Sequence, residues 1–126
     1  MVIESRHTED GLLRNGERAY SNRDYTWFDV PASLQGWRFT RTYGGEAAFV
    51  AVRAKRRMIV TMATSVGHAG VDLSGWKSAE GKTFGYTDGG RTRMQVFVRE
   101  LKAGQRVVIP QGTWTGGLLL LPPTAE

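Results

Sequence analysis

Cysteine is absent from these 126 residues, which excludes a disulfide framework and a thiolate metal site. Histidine is nearly absent: His7 and His68 are the two imidazoles available as bases. His7 sits in a charged opening segment, and His68 lies between small residues in glycine-rich sequence. The chain has no phosphate-binding glycine loop, no HExxH helix and no nucleophile elbow. Carboxylates are present at Asp24, Asp29, Asp72, Glu80 and Asp88, but without the spacing of a paired general acid and base. Intrinsic catalysis is therefore not expected. The Leu118–Leu121 run is far short of the roughly 20 residues that span a bilayer. The opening MVIESRHTED lacks the apolar centre of a signal peptide, so an exported form is expected to be a mature or excised piece of something longer.

Helical periodicity is also missing from any window longer than about ten residues, and strand signals take its place. Trp37–Thr42, Ala48–Arg53, Met58–Thr64, Met94–Glu100 and Arg106–Ile109 each read as a strand bounded by turn residues. Leu101–Gln105 (LKAGQ) reads as a tight connection, and Pro31–Leu34 as one short helical turn. Sixteen glycines, with pairs at Gly44, Gly89 and Gly116, suit turns that need positive φ. Many short strands at this spacing predict an all-β fold, an antiparallel β-sandwich of jelly-roll or galactose-binding-like type. One domain over residues 1–126 is expected, with residues 1–10 flexible and 122–126 linker-like. Alternation puts Met58, Val60 and Met62 on one face, and Ile59, Thr61 and Ala63 on the other. It likewise separates Met94, Val96 and Val98 from Gln95, Phe97 and Arg99. Apolar residues on both faces mark central strands, and Arg41, Arg53 and Arg99 are expected outward, as a rim. Ser65–Arg93, rich in glycine and serine yet holding Trp76, Phe84 and Tyr86, reads as a long irregular binding loop.

The net charge is +5, and thirteen of the seventeen basic residues are arginine. Arginine forks grip carboxylate, sulfate or phosphate in pairs, pointing to a uronate, a sulfated glycan or nucleic acid. The competing explanation is solubility, since the charges are scattered. The cluster Lys55, Arg56 and Arg57 reads as an ordinary charged hairpin tip. Tryptophan and tyrosine offer flat platforms to the C–H face of a sugar. Trp76 and Tyr86 follow glycines and are expected to be exposed, whereas Trp37, alternating with Phe39, favours the core. The candidate ligand-binding residues are Trp76, Tyr86, Arg91, Arg93, His68 and Trp37. No cofactor is expected beyond a structural calcium held by Asp72, Asp88 or nearby carbonyls, for which no EF-hand spacing exists.

The pattern GERAYSNRDYTWFDVPASLQGW, from Gly16 to Trp37, resembles the start of β-sandwich accessory domains appended to secreted bacterial polysaccharide-degrading enzymes. Those enzymes include glycoside hydrolases and pectin or rhamnogalacturonan lyases. The resemblance is carried by Asn22, Arg23 and Tyr25, then Val30, Pro31, Leu34 and Gly36. Val60–Ala63, Gly75 and Trp76, Val96–Arg99, and Ala103 with Gly104 continue the order, so it covers most of the chain. It departs at Thr64–Gly70 (TSVGHAG), where a tyrosine- and arginine-rich segment is the family's pattern. What the resemblance implies is a galactose-binding-like sandwich, extracellular or periplasmic, covalently attached to a catalytic domain and binding polysaccharide or oligosaccharide.

The reading is thus a non-catalytic carbohydrate-binding module for acidic, plant or algal polysaccharide, using Trp76 and Tyr86 for stacking and Arg91 and Arg93 for an acidic substituent. The alternative is a structural domain packing on a catalytic neighbour, which predicts a buried Trp76 and an apolar surface patch. A lower alternative is single-stranded nucleic-acid binding, disfavoured because the cold-shock-type motif is absent and the basic cluster at Lys55–Arg57 reads as a hairpin tip. No membrane contact is expected.

Overall fold

The computed structural model describes residues 1–21, 23–42, 48–65, 72–88, 92–111 and 117–123. Ten strands follow in order: β1 Val2–Arg6, β2 Thr8–Leu12, β3 Trp27–Phe28, β4 Arg38–Thr42, β5 Phe49–Arg53, β6 Met58–Ser65, β7 Lys77–Tyr86, β8 Arg93–Leu101, β9 Arg106–Val108 and β10 Leu118–Leu121. A 3-10 turn at Ala32–Leu34 follows Pro31, where a short helical turn was expected. The strands form a three-stranded sheet, β1-β5-β9, and a seven-stranded sheet, β2-β4-β10-β6-β8-β7-β3. All pairings are antiparallel, and the larger sheet is curled into a half-barrel. This is the all-β sandwich that the strand spacing predicts.

The period-two pattern explains why the central strands carry apolar side chains on both faces. One face of the large sheet presents Val60, Met62, Phe97, Leu119 and Leu121 to Val50, Val52, Val107 and Ile109 of the small sheet. The opposite face presents Phe39, Ala63, Phe84, Met94, Val96, Leu118 and Leu120 to a second core. That second core is closed by the segment 13–37, which connects β2, β3 and β4 and supplies Leu13, Ala19, Tyr20, Trp27, Val30 and Leu34. Backbone bonds hold this cover in place: Leu13 N to Trp37 O at 2.7 Å, Gly16 N to Trp27 O at 2.9 Å and Ala19 N to Tyr25 O at 2.9 Å. Arg41 clamps it from the outside, donating to Arg18 O at 2.9 Å, to Glu9 at 3.3 Å and to Glu17. The aromatic block read in the sequence is therefore a lid over one core.

Three expectations are corrected. Residues 1–10 are not a free leader: β1 pairs with β5 from Val2↔Arg53 to Arg6↔Phe49, and β2 pairs with β4. Every residue of β1 is exposed, so it lacks apolar alternation; its backbone pairing holds it. The region 65–93 is not one irregular loop, because Lys77–Tyr86 is a ten-residue strand. Its pairing with β8 breaks between Ser78 and Thr83, where Gly81 takes φ 77°. There the Gln95 amide donates to Ala79 O at 2.8 Å and Lys82 O at 3.3 Å, standing in for the lost ladder bonds. Arg41 is not an outward rim residue, since its side chain is only 12% exposed in its clamp. The LKAGQ connection is as expected, with Gln105 N bonded to Lys102 O at 3.0 Å.

Tyr20 gives a pH prediction. Its hydroxyl is buried beside the Tyr86 ring and has no partner at hydrogen-bond geometry among the described residues. Burial first, then the neighbouring Tyr86 and Asp88 charges, push its pKa well above the usual 10.0. The unfolded chain ionises this phenol near pH 10 while the folded protein resists. Its contribution is therefore intact below that pH and is lost as pH rises toward the raised folded value. Tyr20→Phe is predicted to be no less stable than wild type at neutral pH, and to lose less stability by about pH 10.5. Urea denaturation at both pH values checks this; identical losses in the two proteins would contradict it.

Candidate functional site on the β3–β7–β8 face

Alternation along β8 sends Arg93, Gln95, Phe97 and Arg99 to one face of the large sheet. Phe97 is covered by the small sheet, whereas Arg93 is exposed and Arg99 half-exposed. Each of these arginines meets an aromatic ring. At one end, a tight turn at 72–76 is closed by Trp76 N to Leu73 O at 3.1 Å and capped by Asp72, which accepts from Ser74 N at 2.9 Å. Hydrogen bonding from the Ser74 side chain, and then from its N–H, holds the Asp72 carboxyl below its ordinary range. Gly75 takes φ 83° in this turn, and a Cβ there would lie 3.0 Å from the Arg99 guanidinium. The Arg99 fork thus rests against a bare backbone and stands over the Trp76 indole, 5.9 Å from its centroid. Trp76 packs against the inter-sheet core while remaining partly open. No ion pair or hydrogen bond engages the Arg99 guanidinium among the described residues.

The second pair lies six residues along β8, about 20 Å away at strand rise. Arg93 stands over Phe28, 5.6 Å from its centroid, and donates to Asp29 at 3.2 Å and Thr83 Oγ1 at 3.1 Å. Asp29 adopts φ 58°, a left-handed conformation that aspartate tolerates better than most residues. Gly85 makes room for the platform, since a Cβ there would meet the Phe28 ring at 2.9 Å. This guanidinium is already neutralised, so the two ends of the face are chemically unequal.

The six sequence candidates therefore part company. Trp76 and Arg93 share this face. Tyr86 does not: it is 6% exposed, with its ring against Tyr20, Tyr25 and Trp27. Its expected exposure is corrected, because it ends a strand whose even-numbered end residues, Phe84 and Tyr86, point into the core. Trp37 is half-buried against that same core, as its alternation with Phe39 suggests. His68 and Arg91 lie outside the described residues. Phe28, Thr83 and Arg99 were missed. The alternation of VFVRE already grouped Arg99 with Phe97, and that was the available signal.

Asp88 binds Thr92 N at 3.3 Å and Thr92 Oγ1 at 2.6 Å, so both calcium candidates serve turns. Among the described residues no group of three His, Asp or Glu side chains is arranged to hold a metal ion. The groove of about 380 Å³ between Met58, Ile59, Leu121 and Pro122 is lined mainly by apolar residues, with Arg56 and Thr61 beside them and Ile59 55% exposed. It lies away from both arginine–aromatic pairs.

This architecture, a β-sandwich with one sheet curled around a second core, occurs in a known carbohydrate-active enzyme. The chain superposes on a β-glucuronidase from glycoside hydrolase family 2 with a TM-score of 0.65 at 14% sequence identity, over 97% of this chain and 14% of that one. The likeness establishes a shared fold, and the chain spans a small fraction of that enzyme's length. No family model and no curated protein matches the sequence.

Proposed function

We propose that this chain is a non-catalytic β-sandwich module that binds an acidic polysaccharide along the β3–β7–β8 face, as an accessory part of a larger, exported polysaccharide-degrading enzyme. The observation that carries the reading is the Arg99 guanidinium, seated on Gly75 and Trp76 without an acidic partner among the described residues. A guanidinium stacked on an indole keeps its in-plane donors free for a carboxylate or sulfate, while the open part of the indole offers apolar surface to the sugar ring. Arg93 and Phe28 supply a second contact further along an extended chain. A fold found within a β-glucuronidase is compatible with this role.

Affinity electrophoresis through gels containing polygalacturonate, alginate or a neutral glucan tests it. The wild type is predicted to be retarded by an acidic polymer and not by the neutral one. Trp76→Ala and Arg99→Gln are each predicted to weaken retention by about tenfold, the scale of one lost charge-assisted or stacking contact. Retention unchanged in both variants would sink this placement of the site.

A second reading, packing against a covalently linked catalytic domain, is favoured by one observation: the mainly apolar groove at Met58, Ile59 and Pro122, with Ile59 55% exposed. On that reading Ile59→Glu abolishes association with the neighbouring domain and leaves polysaccharide retention intact.

A further inference from the structure

At the opposite edge of the large sheet, the two sheets are joined by a single bent ribbon. β1 belongs to the small sheet and β2 to the large one, and only His7, at φ 58°, separates them. The bend leaves an open cleft of about 420 Å³ inside the corner. Its walls are Ile3 and Ser5 from β1, Thr8 and Asp10 from β2, Arg38 from β4 and Leu121 from β10. The β2–β4 register pairs Asp10 with Thr40 and Leu12 with Arg38, so Asp10 and Arg38 are diagonal neighbours on one sheet face. They nevertheless form no ion pair, and neither side chain has a hydrogen-bond partner among the described residues. Glu9, which also lines the cleft, is engaged by Arg41. Arg38 is half-buried in the wall of the cleft.

We infer that this corner is a second ligand site, for a small molecule that carries both a carboxylate and neighbouring hydroxyls, of the uronate kind. Arg38 offers a planar donor fork for the carboxylate. Asp10 offers an acceptor for ligand hydroxyls, and the Ser5 and Thr8 hydroxyls act as either partner. Ile3 and Leu121 supply apolar wall for the ring's C–H groups. The volume lies within the range of small-ligand sites, and polar and apolar side chains together line it, as they line such sites. The apolar groove at Met58 has similar volume but brings no acceptor and donor together without partners. The site stands independently of the polysaccharide reading, because none of its residues belongs to the β3–β7–β8 face.

Titration of the ¹⁵N-labelled protein with D-glucuronate, followed by amide shifts, tests the inference. The amides of Ser5, Thr8, Asp10 and Arg38 are predicted to move saturably, with glucose and acetate each at least about tenfold weaker. Arg38→Gln is predicted to weaken glucuronate about tenfold or more with its spectrum otherwise native, and Asp10→Asn to weaken it less. Arg99→Gln is predicted to leave these shifts unchanged. Silence at the cleft with wild-type protein would overturn the inference. So would acetate binding as tightly as glucuronate, or unaltered binding in Arg38→Gln and Asp10→Asn together. Loss of polysaccharide retention in Arg99→Gln with the cleft shifts preserved separates the fate of this site from that of the extended face.

Discussion

Trp27→Ala is expected to cost about 3–5 kcal/mol, a large share of the 5–15 kcal/mol that holds a domain together. Trp27 is 1% exposed and meets Tyr20, Phe39, Phe84 and Tyr86, with centroids 5.1 to 5.9 Å away. Three of these contacts are edge-on, the arrangement that ring quadrupoles favour. Its indole N–H has no partner among the described residues, so the loss is one of packing. The residue also ties the lid to the sheet, through Trp27 N to Glu17 O at 2.9 Å and the β3 pairing Trp27↔Tyr86. Truncation leaves a cavity where the lid, β4 and β7 meet, and no neighbour is free to collapse into it. Thermal denaturation is predicted to show Tm lowered by roughly 10 °C or more. Trp27→Phe, which keeps a ring, is predicted to recover much of the difference. A Trp27→Ala protein as stable as wild type would mean that the segment 13–37 is not part of the folded core.

Gly117→Ala is the second large effect. A Cβ at Gly117 would stand 2.2 Å from Pro110 O and 3.0 Å from Ile109 Cγ2. The first contact is with backbone, so no side-chain rotation relieves it. The crossing is also pinned: Gly117 N donates to Gln111 Oε1 at 2.8 Å, and Gln111 Nε2 donates to Gly117 O at 3.2 Å. The chain leaves the small sheet after β9 and enters the large one at β10 through this contact, so separating the strands loosens both cores. A loss of about 3 kcal/mol is expected, at the upper end for overpacking. Gly104→Ala is the matched control: it has φ 83° and open space around it, so only backbone strain of roughly 1 kcal/mol is expected. Urea denaturation of the two variants side by side gives the comparison. Equal losses would show that the close approach at Gly117 has no energetic weight.

The residues that were legible in the sequence are those whose burial is decided by alternation. β4, β5, β6, β8 and β9 were found within a residue or two, because each carries bulky side chains to at least one core. β1 was invisible for the opposite reason: all five of its residues are exposed, and backbone pairing alone recruits it. β7 was hidden by its bulge, where Gly81 and polar neighbours imitate a loop until Phe84 and Tyr86 return to the core. A glycine before Tyr86 imitates a loop signal, yet Gly85 makes room for the Phe28 ring. Of the candidate site, Trp76 was legible from its SGW turn and Arg93 from its charge. Their partners Arg99 and Phe28 became visible only through register, which depends on pairings between residues far apart in the chain. Asp10 and Arg38 come onto one sheet face for the same reason, through the β2–β4 register, beside a bend at His7 that no local pattern announces.

Selectivity for a sugar acid over charge alone is what distinguishes the proposed module from any basic protein carrying +5. The most direct measurement is the ratio of affinities for polygalacturonate and for single-stranded DNA, taken at about 0.15 M salt where surface charge is screened beyond roughly 8 Å. Wild-type protein is predicted to prefer the polysaccharide by tenfold or more, and Arg99→Gln to lose that preference. Equal binding to both polymers, falling together as salt rises and indifferent to Arg99, would contradict the account.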